Sequence, residues 1–148
     1  MTKQNLAELY DSDFFEWTKT SAELIRQGRL NEADLEHIAE EIESMGRSEK
    51  RELVNRLTVL FVHLLKWRYQ PSLRGRSWTL TIGQQRRRLV KLLDANPSLK
   101  SQLNEALADA YEDARVDAER ETRLKSSVFP LACPFTFDDA MNPDFWPD

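Results

Sequence analysis

The sequence is short of several things, and each shortage excludes something. It holds one cysteine, Cys133, so no intrachain disulfide can form, a pattern suited to a reducing compartment. Four glycines in 148 residues are too few for the many tight turns of a β sandwich or barrel. No apolar run approaches the roughly 20 residues that a membrane span needs. The longest charge-free apolar stretch of note, Leu57 to Leu65, reads as core. Met1 to Asp13 has no basic stretch followed by an apolar one, so no secretory signal is read there. These absences lead to the expectation of a soluble cytoplasmic protein with no membrane partner. What is plentiful is Leu, Ala, Glu and Arg, all good helix formers, within an apolar fraction of 41% that suffices for a core at this length.

Hydrophobic spacing predicts an all-α fold: a bundle of about five helices over 13–124, with a proline-rich arm, 125–148, packed on it, all in one domain, 1–148. A helix from Phe14 to about Gln27 is signalled by Asp13 as cap with Glu16 three residues on, and by Gly28 as its stop. A second helix, capped by Asn31, carries Leu35, Ile38, Ala39, Ile42 and Met45 on an inward face and ends at Gly46. A third, Ser48 to Tyr69, is apolar on nearly every face in its middle and forms the axis of the bundle. The fourth opens near Ser77. The fifth opens at Asn96-Pro97 and carries small alanines along its stripe. Prolines 130, 134, 143 and 147 forbid a long helix in the arm, yet its aromatics are too apolar for a solvated tail, and a short helix from Phe137 to Met141 is expected behind Thr136.

Charge is unevenly laid out. Residues 1–53 hold 13 acidic and 7 basic side chains, residues 54–93 hold 9 basic and no acidic ones, and residues 94–148 hold 12 acidic and 5 basic. The acid-free stretch suggests a phosphate-binding patch in which Arg74, Arg76, Arg86, Arg87, Arg88 and Lys91 neutralise a nucleic-acid backbone while Trp78 or Trp67 stacks on a base. The purely structural alternative is preferred: a basic helix neutralised across helix boundaries by the acidic faces on either side. The net charge of −4 also runs against a dedicated nucleic-acid binder.

Candidate chemistry is thin. A di-metal bundle needs a Glu-x-x-His motif from each of two helices. Asp34-x-x-His37 matches loosely once, and His63 has Leu60 in the acidic position, so no metal site and no cofactor are assigned. His63 is expected to be a buried neutral imidazole bonded to a carbonyl or carboxylate. Cys133, between Pro130 and Pro134 in an apolar segment, reads as a small hydrophobe, and no residue is assigned a catalytic role. Glu41 is the buried carboxylate expected to pair with Arg76, which makes Glu41, His63 and Arg76 the candidate buried polar groups.

Several stretches together resemble one family. They include Glu40 to Glu49, His63-Leu64-Leu65-Lys66-Trp67 with Gln70-Pro71, and Arg76-Ser77-Trp78. Asn96-Pro97-Ser98-Leu99, Ala108 to Ala114 and the ending Pro143-Asp144-Phe145-Trp146-Pro147 complete the set. The chain is similar over nearly its whole length to the bacterial "domain of unknown function 29" family, mostly found in cyanobacteria. The resemblance implies a compact helical fold and no activity. The functional expectation is therefore a non-enzymatic helical interaction domain that binds a protein partner or a second copy of itself. A nucleic-acid-binding regulator using 54–93 ranks behind it, and a metal-dependent enzyme behind that.

Overall fold

Thr2 accepts the Asn5 amide on its hydroxyl at 3.1 Å, and α1 (Lys3–Ser12) begins there. The computed structural model describes all residues 1–148. Five further α-helices follow: α2 (Phe14–Arg26), α3 (Leu35–Tyr69), α4 (Arg76–Ala95), α5 (Leu103–Thr122) and α6 (Phe137–Met141). Four 3-10 segments and no strand complete the chain, so the fold is all-α as its composition implies. Contacts divide it into two compact units, Met1–Ser48 and Glu49–Asp148, with the boundary falling inside α3.

In the first unit, α1 lies outside the expected bundle, although Leu6, Leu9 and Tyr10 already have helical spacing. Asp13 ends α1 and caps α2, accepting the Glu16 amide at 3.1 Å. At the far end Gly28 takes φ +72°. Its amide reaches the Ile25 carbonyl at 3.0 Å and the Arg29 amide reaches Leu24 at 2.9 Å, a Schellman closure that only glycine adopts without strain. The small core is built on Leu6, Trp17 and Ala33.

Asp34, not Asn31, caps α3, accepting the His37 amide at 3.4 Å; Asn31 lies in the 3-10 segment Leu30–Glu32. The stop expected at Gly46 does not occur either, and the second and third expected helices are one helix of 35 residues. No proline interrupts it, and a single interior glycine costs only about 1 kcal/mol, too little to break a helix otherwise made of good formers. Glu43–Arg47 at 3.9 Å and Glu52–Arg56 at 2.7 Å add i,i+4 pairs on either side of Gly46.

In the second unit the C-terminal half of α3 carries the core. Leu53, Leu57, Leu60, Phe61, Leu64 and Leu65 are fully buried. They pack with Ile82 and Leu89 of α4 and with Ala106, Ala110, Ala114 and Ala118 of α5. Alanine at every fourth position keeps that face of α5 thin, and Thr58 Oγ1 of α3 comes within 3.5 Å of the Ala110 carbonyl oxygen. The cap of α4 is Gly75, two residues before the expected Ser77, which lies in the first turn. The Asn96-Pro97 signal opens a 3-10 segment, Pro97–Gln102, and α5 starts only at Leu103. Asn96 does not cap forward: its side-chain amide donates to Glu49 and to the Leu92 carbonyl. The arm folds as its pattern indicates. Phe129, Phe135 and Ala140 join the core, and Thr136 caps α6 by accepting the Asp139 amide at 3.0 Å.

Candidate interaction surface

The basic segment separates into two sets of side chains with different work. Arg86 lies on the inward stripe of α4 with Ile82 and Leu89 and is 5% exposed. Its Nε donates to the Ala140 carbonyl at 2.7 Å and its Nη2 to that of Phe145 at 2.9 Å, while the guanidinium sits 5.3 Å from the Trp146 ring centre. Ala140 is in the last turn of α6, where carbonyls have no helical partner, so the cation satisfies groups that would otherwise be buried bare. Arg74 does the same nearby: Nε donates to Trp67 O at 2.6 Å, Nη2 to Pro147 O at 3.2 Å, and the guanidinium covers the Trp67 ring. Burial pushes the Arg86 pKa down, but a guanidinium starts so high that it keeps its charge at neutral pH. These two arginines hold the C-terminal arm and are not available to phosphates.

Arg76, Arg87, Arg88 and Lys91 are exposed, and no α4 cation forms an ion pair. The expected neutralisation of α4 by acidic neighbours is therefore not made. The cross-helix pairs join α3 to α5 instead: Lys66–Glu121 at 2.8 Å and Lys50–Glu105 at 3.2 Å. The inward cation of α4, Arg86, goes instead to carbonyls of the arm. Trp78 is half-buried with Lys66 Nζ 5.8 Å from its ring, and Trp67 lies 4.7 Å from Trp146, so neither indole is open on both faces. Along the outer side of α4, Arg76, Leu80, Gly83, Arg87 and Val90 recur at four- and three-residue spacing, with Leu80 56% exposed. Beside them Met141, Pro143 and Trp146 form the second wall of an apolar groove of about 450 Å³, with Arg86 and Arg87 among its lining.

A second uncovered surface lies on the N-terminal half of α3. Leu35, Ile38, Ile42 and Met45 were read as facing inward, yet Leu35, Ile42 and Met45 are exposed, Ile42 at 61% and Met45 at 67%. The side of α3 that α1 and α2 cover is the neighbouring one. Tyr10 stacks on His37 with ring centres 4.0 Å apart and donates its hydroxyl hydrogen to Glu41. Trp17 Nε1 donates to Asp34 at 3.1 Å, and Asp34 also meets His37 Nδ1 at 2.6 Å. Periodicity finds the apolar arc but not which side the small cap covers. The Tyr10–Trp17–Asp34–His37 cluster was not read from the sequence, and the helical spacing of Leu6, Leu9 and Tyr10 was the signal for it.

Of the three candidate buried polar groups, Glu41 of the first unit is half-buried and bonded to Tyr10, and Arg76 of the second unit is exposed at the first position of α4. His63 is half-buried, and its Nδ1 lies 2.8 Å from the Val59 carbonyl, which makes that nitrogen the donor. Burial holds its pKa below the usual value, with Lys66 adding to the effect, and keeps the ring neutral. Cys133 is half-buried, its thiol bonded to Phe135 O at 3.3 Å and pushed up in pKa by burial. No three His, Cys, Asp or Glu side chains converge as metal ligands would.

The fold places the chain among all-α proteins with an arm-pinned bundle. A family model, "Domain of unknown function DUF29", matches residues 9–146, and the chain belongs to that family. No curated protein and no solved structure matches it.

Proposed function

We propose that the chain is a non-enzymatic interaction domain of the cytoplasm that acts by binding a protein partner or a second copy of itself. The observation that carries this is the uncovered apolar arc of α3, where Ile42 and Met45 stand in solvent one turn apart. Scattered apolar side chains on a surface need no explanation, but a contiguous helical stripe is what a helix buries against another element. No helix is long and apolar enough to cross a membrane. A photo-crosslinking side chain installed at Ile42 in the native host tests the reading. Discrete protein adducts are expected there and not at exposed Lys100; equal patterns at both positions would overturn it.

A second reading rests on its own observation, the exposed and unpaired Arg76, Arg87, Arg88 and Lys91 on α4. They would contact phosphates, and binding would fall steeply with salt. Replacing Arg87, Arg88 and Lys91 with Gln should abolish retention of RNA or DNA at low salt without unfolding the chain, since none of the three is buried. Wild-type protein that binds neither polymer at low salt ends this reading.

A further inference from the structure

We propose that the two uncovered seams are made for one another in different copies: the acidic apolar seam of α3 in one molecule docks on the basic apolar seam and groove of α4 in a second. This rests on the interaction reading above and names its partner.

The two seams match in period and length. Leu35, Ile38, Ile42, Met45 and Glu49 follow one another at three- and four-residue steps, and so do Arg76, Leu80, Gly83, Arg87 and Val90. Each run spans 15 residues, so its ends lie about 21 Å apart at roughly 1.5 Å per step. Such alternation of steps is what two helices need to interlock side chains along a common line. Gly83 supplies a thin point on the receiving side, and the groove beside it has walls from α4 and from the arm at Met141 and Trp146. Met45 is unbranched and flexible, suited to fill an irregular groove of that kind.

The seams are opposite in charge. Exposed Glu36 and Glu43 adjoin Leu35 and Ile42 on the open side of α3 and Glu49 ends the seam, while the nearby cations Arg47 and Lys50 are already paired, with Glu43 and Glu105. Arg76 and Arg87 lie within the α4 seam and Lys91 beside it, and the helix has no acid before Asp94. An α3 seam paired with its own copy would bring two acidic flanks together, and an α4 seam paired with itself would oppose arginines. Like charges brought together across an interface disfavour both of those pairings and leave the mixed one. Because every molecule carries both seams, the contact is isologous and closed if two copies make it reciprocally, and heterologous, closing into a ring or propagating, if they do not.

The test uses the full chain and two variants. In the first, Ile42 and Met45 are changed to Glu; in the second, Leu80 and Val90 are changed to Glu. All four residues are exposed, so each variant should keep the wild-type helical spectrum and unfolding midpoint. Sedimentation of wild type should show species of at least twice the chain's mass, weakened by added salt, and each variant alone should be monomeric. An equimolar mixture of the two should recover a complex of twice the chain's mass, because the α3 seam of the second variant and the α4 seam of the first are intact. Monomeric variants that fail to recover on mixing would overturn the proposal, and a variant that still associates alone would overturn it in favour of its intact seam pairing with itself. Wild type that stays monomeric at its highest soluble concentration would overturn it too. In that case adducts at Ile42 in the host would still uphold the interaction reading with a different partner, and their absence would remove both.

Discussion

Arg86 Nε donates to the carbonyl oxygen of Ala140 at 2.7 Å, across 54 residues of sequence, and so ties the middle of α4 to the last turn of α6. The same guanidinium reaches Phe145 O, so one side chain serves two carbonyls of the arm. Changing Arg86→Met would keep the apolar stem and leave both carbonyls without that donor. A loss of about 2–3 kcal/mol in urea unfolding is expected, since bonds to charged groups and unmet buried acceptors fall in that range. Arg86→Lys should recover only part of it, because an ammonium cannot reproduce the planar fork. Limited proteolysis of the arm should accelerate in both variants, more in the first.

Tyr111 pins the other end of the arm, donating its hydroxyl hydrogen to Pro130 O at 2.5 Å. Burial pushes its pKa up to about 12; the bond to Glu41 pushes Tyr10 up to about 12 as well. An alkaline absorbance titration should therefore show two phenols whose ionisation is delayed to about pH 12, and Tyr111→Phe and Tyr10→Phe should each delete one of them. The raised folded pKa of Tyr111 means its contribution is fully present below pH 10 and is lost as pH climbs toward 12. At neutral pH, Tyr111→Phe should cost about 1–2 kcal/mol by leaving Pro130 O unpaired.

Local signals of capping and apolar period were legible in the sequence because they act within one or two turns. Asp13 and Thr136 cap the helices expected of them, Gly28 closes α2, and the aromatic arm packs down. The failures share a different cause. Gly46 and Asn96-Pro97 are punctuation whose weight depends on what the rest of the helix gains, and α3 gains enough over 35 residues to run through its glycine. The inward face of α3 near Ile42 was misread because an apolar stripe says that something covers a helix, not what. The role of Arg86 was illegible for a sharper reason: its partners are backbone carbonyls, and a carbonyl leaves no mark in the residue alphabet. Charge counting looks for carboxylates and so expected a neutralised α4, where the structure leaves its outer cations unpaired.

The two histidines should titrate on opposite sides of the ordinary value of 6.5. Asp34, hydrogen-bonded to Nδ1, holds His37 above it, whereas burial holds His63 below it. Proton NMR of the imidazole signals, assigned with His37→Gln, should show the higher-titrating resonance disappear. The pair also sets a stability window. The raised His37 pKa contributes stability that is fully present below pH 6.5 and fades as pH rises through the folded value. The lowered Asp34 pKa contributes stability that is present above 3.8 and fades as pH falls through its own folded value. The difference in stability between wild type and His37→Gln should therefore peak between about pH 4 and 6.5 and shrink on both sides; a difference independent of pH would mean that the pair contributes through packing alone.

Gly46 and Gly28 offer opposite outcomes from one substitution. Gly46 lies inside α3 with helical backbone, and a Cβ there would meet nothing within 4 Å. Gly46→Ala removes unfolded-state freedom at no steric charge and should stabilise by about 0.5–1 kcal/mol. Gly28 is also in open space, so sterics with neighbours are equally absent, but its φ of +72° lies where an L side chain is strained. Gly28→Ala should therefore destabilise by about 1 kcal/mol. Urea unfolding of both variants at a concentration low enough to keep the chain dispersed separates the two effects. If Gly46→Ala were instead destabilising, α3 would have to bend or break at that residue, and the continuous 35-residue helix that sets the α3 seam beside Gly46 would be wrong.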